Sequence, residues 1–178
     1  MTTIFVLGNK SSVLRKLILS ELSLRYSVTF VDKDSVVSKG NGYELLFIGA
    51  KEISNAQLEN AAVILQKDTL TSLEAFPEST AVIAFSENEK QMKLLKASSC
   101  KIYTCGYHKQ DTFSYTSLCD ENIVISLNRE ITALSGKKIQ PLEIPSEIPK
   151  GADLYSFMAF TALRLLLDDY NSEIGTLY

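Results

Sequence analysis

The sequence predicts a three-layer, doubly wound α/β fold with a mostly parallel sheet, a small antiparallel extension and a buried C-terminal helix. Three observations lead there. Apolar runs such as Ile4-Phe5-Val6-Leu7 and Ala61-Ala62-Val63-Ile64-Leu65 are nearly continuous, which marks strands covered on both faces. Stretches of helical character separate these runs, as crossovers between parallel strands require. After Gly106 the pattern changes to polar–apolar alternation broken by tight turns, the mark of antiparallel strands with one wet face.

Each element follows from its own residues. A buried strand is expected over 2–7, stopped by Gly8. Ser11 or Ser12 can cap the helix that follows, where Leu14, Leu17, Ile18 and Leu22 recur at helical spacing to about Tyr26. Further parallel strands are expected over 27–32, closed by a polar Asp-Lys-Asp-Ser turn, and over 43–49, 61–66, 80–86 and 101–106. Short helices are expected around 55–60 and 69–76, and a surface helix over 87–99 with Met92 and Leu95 inward. Antiparallel strands turn at Asp120-Glu121-Asn122 and at Ser135-Gly136-Lys137, and Pro141 to Pro149 reads as a connector. The last helix, 152–170, is apolar almost all round, so it is expected to be buried, with Asp153 as its cap. Any part of it left uncovered would suit another chain, and the tail from Asn171 could add to that surface.

At 178 residues the chain reads as one domain, 1–178: a parallel α/β part over 1–106, antiparallel strands over 107–149, and a helix and tail over 150–178. A formal net charge of −3 gives no general reason to bind nucleic acid or an anionic membrane. No apolar run reaches the ~18 residues that span a bilayer. The N-terminus has no basic leader, so a cytoplasmic protein is expected. Three cysteines (Cys100, Cys105, Cys119) and one histidine (His108) lack metal or redox spacing. Cys105 and His108 are too close along one strand end to suggest a nucleophile–base pair. The acids Asp168 and Asp169 read as a solvated helix end.

The stretch Gly8-Asn9-Lys10-Ser11-Ser12 joins a strand to a helix, the P-loop or Rossmann-like layout by which many proteins grip a phosphate. It is short of glycine, so it also reads as a capped turn. Asp32 ends the second strand, where a dinucleotide-binding fold places the acid that bonds a ribose hydroxyl. The second and third glycines of that fingerprint are replaced by Lys10 and Val13. Asp32 therefore reads equally as a turn residue.

The order of elements, with a strand and corner at Thr80 to Gly106, the strands that follow and the helix after Pro149-Lys150-Gly151, resembles the central, ATP-binding domain of the Mur ligase family. Those enzymes join an amino acid to a peptidoglycan precursor, and the resemblance implies a bacterial, peptidoglycan-related setting with ATP and Mg²⁺ as cofactors. The family's motifs have eroded. Its phosphate loop would be matched by Lys10 and Ser11, with Asn9 where glycine should stand. Its magnesium-binding glutamate is approached only by Glu52. Thr69, in Asp68-Thr69-Leu70-Thr71, takes the place of a metal-binding histidine. The segment 72–79 lacks the family's modified lysine, and Phe85 stands where an asparagine reads adenine. The family's C-terminal domain has no counterpart before Tyr178. The resemblance therefore implies a non-catalytic relative, with residual nucleotide or anion binding at Gly8 to Ser12 and a protein partner or second copy as its working contact. The alternatives are a ligase-type subunit completed by another chain and a dinucleotide-binding module.

Overall fold

In the computed structural model, which describes residues 1–9, 12–53, 56, 61–71, 73, 76–171 and 176–177, ten strands form one sheet. In chain order they are β1 (Thr2–Leu7), β2 (Ser27–Asp32), β3 (Ser35–Lys39), β4 (Glu44–Ala50), β5 (Ala61–Leu65) and β6 (Ala81–Phe85). Then come β7 (Lys101–Cys105), β8 (Phe113–Cys119), β9 (Asn122–Leu127), and, after a small separate hairpin of β10 (Ile131–Thr132) and β11 (Lys138–Ile139), β12 (Leu142–Glu147). Across the sheet the order is β12-β9-β8-β7-β6-β5-β1-β4-β2-β3. The stretch from β7 to β2 is parallel throughout.

Residues of β1 alternate between two cores, which explains why its apolar run is unbroken. Ile4 and Val6 join the core under α1 (Ser12–Glu21) and α3 (Leu154–Leu166). Phe5 and Leu7 join the opposite core, with Leu95 of α2 (Glu89–Leu95). β5 and β6 alternate in the same way. The three layers follow directly: helices on each face of a sheet whose central strands have no wet side.

The structure departs from expectation in three places. Residues 35–39 form an antiparallel edge strand against β2, with Asp32 opposite Ser35. The Asp32 carboxylate closes that turn by accepting the Asp34 and Ser35 N–H groups at 2.9 and 3.0 Å. The Pro141–Pro149 connector contains β12, the outermost strand, where Pro145 is tolerated because an edge has one side without ladder partners. As expected, the antiparallel strands extend the main sheet, joined through the parallel bridge Cys105–Phe113. Helix α1 stops at Glu21 and tightens into a 3-10 turn over Leu22–Leu24. The short helices expected around 55–60 and 69–76 fall largely outside the described residues; Thr69 to Thr71 are coil.

Helix α3 is the centre of its core. Every residue from Tyr155 to Leu166 except Arg164 is buried, and Asp153 caps the helix by accepting the Ser156 N–H at 3.0 Å. The domain itself covers this helix, so it offers no open face to a partner. After it, β13 (Tyr170–Asn171) pairs with β14 (Thr176–Leu177). No helix among the described residues is long and apolar enough to cross a membrane.

Candidate functional site

β1 is the strand on whose two sides the chain diverges: β4 and β2 lie on one side, β5 on the other. In open parallel sheets ligands bind outside the carboxyl ends of the strands at such a point. A cleft of about 240 Å³ lies there, lined by the ends of β1, β2 and β4 and by Arg15 of α1.

Gly8 begins the turn out of β1 at φ +119°. Its N–H donates to the Ala50 carbonyl at 2.9 Å, so it is bonded to the sheet and not turned toward a ligand. A Cβ at this position would come within 2.0 Å of Thr69 Oγ1 and 2.7 Å of Gln66 Cβ. Glycine is thus required by close approach as well as by backbone angle. The buried Thr69 hydroxyl donates to the Leu7 carbonyl at 2.8 Å, and the Gln66 N–H donates to the same oxygen at 2.8 Å. The position that the sequence resemblance gives to a metal-binding histidine therefore carries a hydroxyl engaged in sealing the β1 turn.

Of the other residues singled out in the sequence, Asn9 lines the cleft, Ser12 opens α1, and Lys10 and Ser11 lie outside the described residues. Asp32 also lines the cleft. Its Oδ2 accepts from Arg15 Nη1 at 2.6 Å while Oδ1 holds the β2–β3 turn. Because β4 lies between β1 and β2, Asp32 is one strand further from the Gly8 turn than in the usual dinucleotide-binding order, where the second strand adjoins the first. Topology disfavours the dinucleotide reading.

Glu52 is exposed. Phe85 is buried, with Lys67 Nζ 5.2 Å from its ring centroid and the Tyr155 ring 4.8 Å away. Asn88 caps α2 and donates to the Lys67 and Thr69 carbonyls, tying the Thr69 loop to the helix. His108 lies on the surface 3.5 Å from Glu87, whereas Cys105 is fully buried. Among the described residues no three His, Cys, Asp or Glu side chains converge on a point that could hold a metal. The described residues do not fit a magnesium site.

Sequence reading missed Arg15, Phe30, Gly49, Lys33 and Lys51 as cleft residues, because only the strand order brings them together. It also misread Asp169. That side chain is 2% exposed and bonded to Arg164 Nε at 2.7 Å and Arg25 Nη1 at 2.8 Å. The partner arginine, Arg25, is too distant in sequence to be seen.

Burial pushes the Cys105 thiol up, helped by the nearby Asp111 carboxylate, and burial raises the Tyr155 phenol well above its usual value. Both groups stay neutral in the folded protein at pH values where the unfolded chain has lost their protons. Stability is therefore full below about pH 8.5 and falls as pH rises through the unfolded values, by up to about 1.4 kcal/mol per unit for each group. Urea midpoints measured from pH 7 to 10 should decline above pH 8.5. Cys105→Ala should flatten the first part of that decline; an unchanged slope would rule out the thiol as its source.

No protein-family model matches the sequence, and no curated protein matches it. Solved structures do. A murein peptide ligase from Psychrobacter arcticus aligns over 92% of this chain at 10% identity with a TM-score of 0.58. MurF from Acinetobacter baumannii aligns over 98% at 11% identity with a TM-score of 0.53. A UDP-N-acetylmuramate:L-alanyl-gamma-D-glutamyl-meso-diaminopimelate ligase from Neisseria meningitides aligns over 93% at 10% identity with a TM-score of 0.55. The fold is shared with these ligases. The chain spans 43%, 44% and 61% of their respective lengths.

Proposed function

We propose that this chain is a Mur-ligase-type domain that does not transfer phosphoryl groups and acts through a protein partner or a second copy. The observation that carries the reading is the Thr69–Leu7 hydrogen bond across Gly8, together with the commitment of the Gly8 N–H to Ala50. Phosphoryl transfer needs backbone donors aimed at the phosphates and metal ions that neutralise the developing charge. The Gly8 N–H is spent on the sheet, and among the described residues no three acidic, histidine or cysteine side chains converge on a metal. The shared fold supports descent from a ligase scaffold, and the eroded motifs support loss of its chemistry.

Thermal unfolding with and without millimolar Mg-ATP tests this, alongside Lys10→Ala and an assay of ATP hydrolysis. A ligand bound only to the folded state adds about 2.7 kcal/mol at a hundred times its Kd, a shift of roughly 5–10 °C in a domain of this size. The expected result is no hydrolysis and a midpoint that Mg-ATP leaves in place. A shift abolished by Lys10→Ala would establish a working phosphate grip and favour a ligase-type subunit completed by another chain.

A further inference from the structure

We propose that the cleft at the carboxyl ends of β1, β4 and β2 binds a small anion built on one aromatic ring, such as an aryl carboxylate or aryl phosphate. Its floor is apolar, formed by Val6, Phe30 and Ala50. Glycine at position 49 lets Phe30 and Asp32 close on the backbone of β4, since a Cβ there would lie 3.2 Å from Phe30 Cε1 and 3.3 Å from Asp32 Cβ. The cleft above this packed layer takes a flat group against its apolar lining.

The wall is a cation already fixed in place. Arg15 donates to Asp32 at 2.6 Å and to Ser35 at 2.9 Å, and its guanidinium lies 5.1 Å from the centroid of Phe30. Holding it this way before a ligand arrives lowers the ordering cost of binding. Two of its five N–H donors are used in these bonds, which leaves others for an anionic group.

At the rim stand Lys33 and Lys51, both exposed and neither with an ion-pair or hydrogen-bond partner among the described residues. With Asp32 neutralised by Arg15, the two lysines outweigh Asp34, and the mouth favours a negative ligand. Size sets the rest. A cavity of about 150 Å³ accepts benzene and drug-sized ligands occupy roughly 300–1,000 Å³. The cleft, at about 240 Å³, suits one ring with one anionic substituent rather than a whole nucleotide.

Amide chemical shifts of the ¹⁵N-labelled protein would be followed while benzoate or phenyl phosphate is added, with benzamide and cyclohexanecarboxylate as probes lacking charge and aromaticity. Saturable shifts are expected at Gly49, Ala50 and Lys33, with both control probes several-fold weaker. Of the two anions, the tighter binder identifies the preferred headgroup. The double variant Lys33→Glu with Lys51→Glu changes only exposed side chains and should fold; its Kd should rise about tenfold or more. Silent spectra at on the order of 10 mM probe would overturn the proposal. So would affinity unchanged by the double variant, or binding that Lys10→Ala removes and the double variant leaves, which would place the anion on the β1–α1 turn instead.

Discussion

Asp169→Ala should cost the fold about 3–5 kcal/mol, a fall in melting temperature on the order of 10 °C. Two arginines share this carboxylate, and they differ in how well they survive its loss. The Arg25 side chain is 44% exposed and can turn into water, whereas that of Arg164 is 11% exposed and would keep an unpaired guanidinium inside the protein. The cost comes mainly from that stranded charge and less from the attraction lost, because taking the pair out of water consumed much of the Coulomb gain. Removing both charges is therefore the discriminating control. Asp169→Leu with Arg164→Leu should recover most of the loss in urea unfolding. A single-variant cost under about 1 kcal/mol would mean the carboxylate is solvated, as its sequence context suggests.

The second large effect concerns the turn that shapes the cleft. Gly8→Ala should destabilise by about 3 kcal/mol or more, since a left-handed backbone angle costs on the order of 1–3 kcal/mol and overpacking a similar amount. The new methyl would collide with Thr69 Oγ1 and with Gln66 Cβ. Adding Thr69→Ala relieves the first clash only, because Gln66 and the φ angle remain. That variant also frees the buried Leu7 carbonyl of one of its two donors. The pair should thus recover part of the stability and no more. If Gly8→Ala unfolds at the wild-type urea concentration, the close approach of the Thr69 loop is wrong, and with it the argument that this loop closes the place of a metal ligand.

Much of the architecture was legible in the chain. Unbroken apolar runs at 4–7, 61–65 and 81–85 record burial on both faces, and burial on both faces requires helices above and below. The Asp153 cap and the apolar α3 were legible for the same reason, since they depend on residues a few positions apart. The edge strands were harder. β3 offers only Val36 and Val37 as an apolar signal, and β12 hides behind Pro145.

What the residues by themselves determined is therefore how each segment meets solvent: which runs are buried twice, which once, and where turns must fall. Tertiary structure alone decided which segments became neighbours. It inserted β4 between β1 and β2, and so moved Asp32 away from the Gly8 turn and opened the cleft over Gly49. It laid Thr69 across Gly8 and joined Arg25 to Asp169, 144 positions apart. Burial leaves its mark on a residue's own type and spacing, whereas a pairing depends on both partners and on the strand order that brings them together.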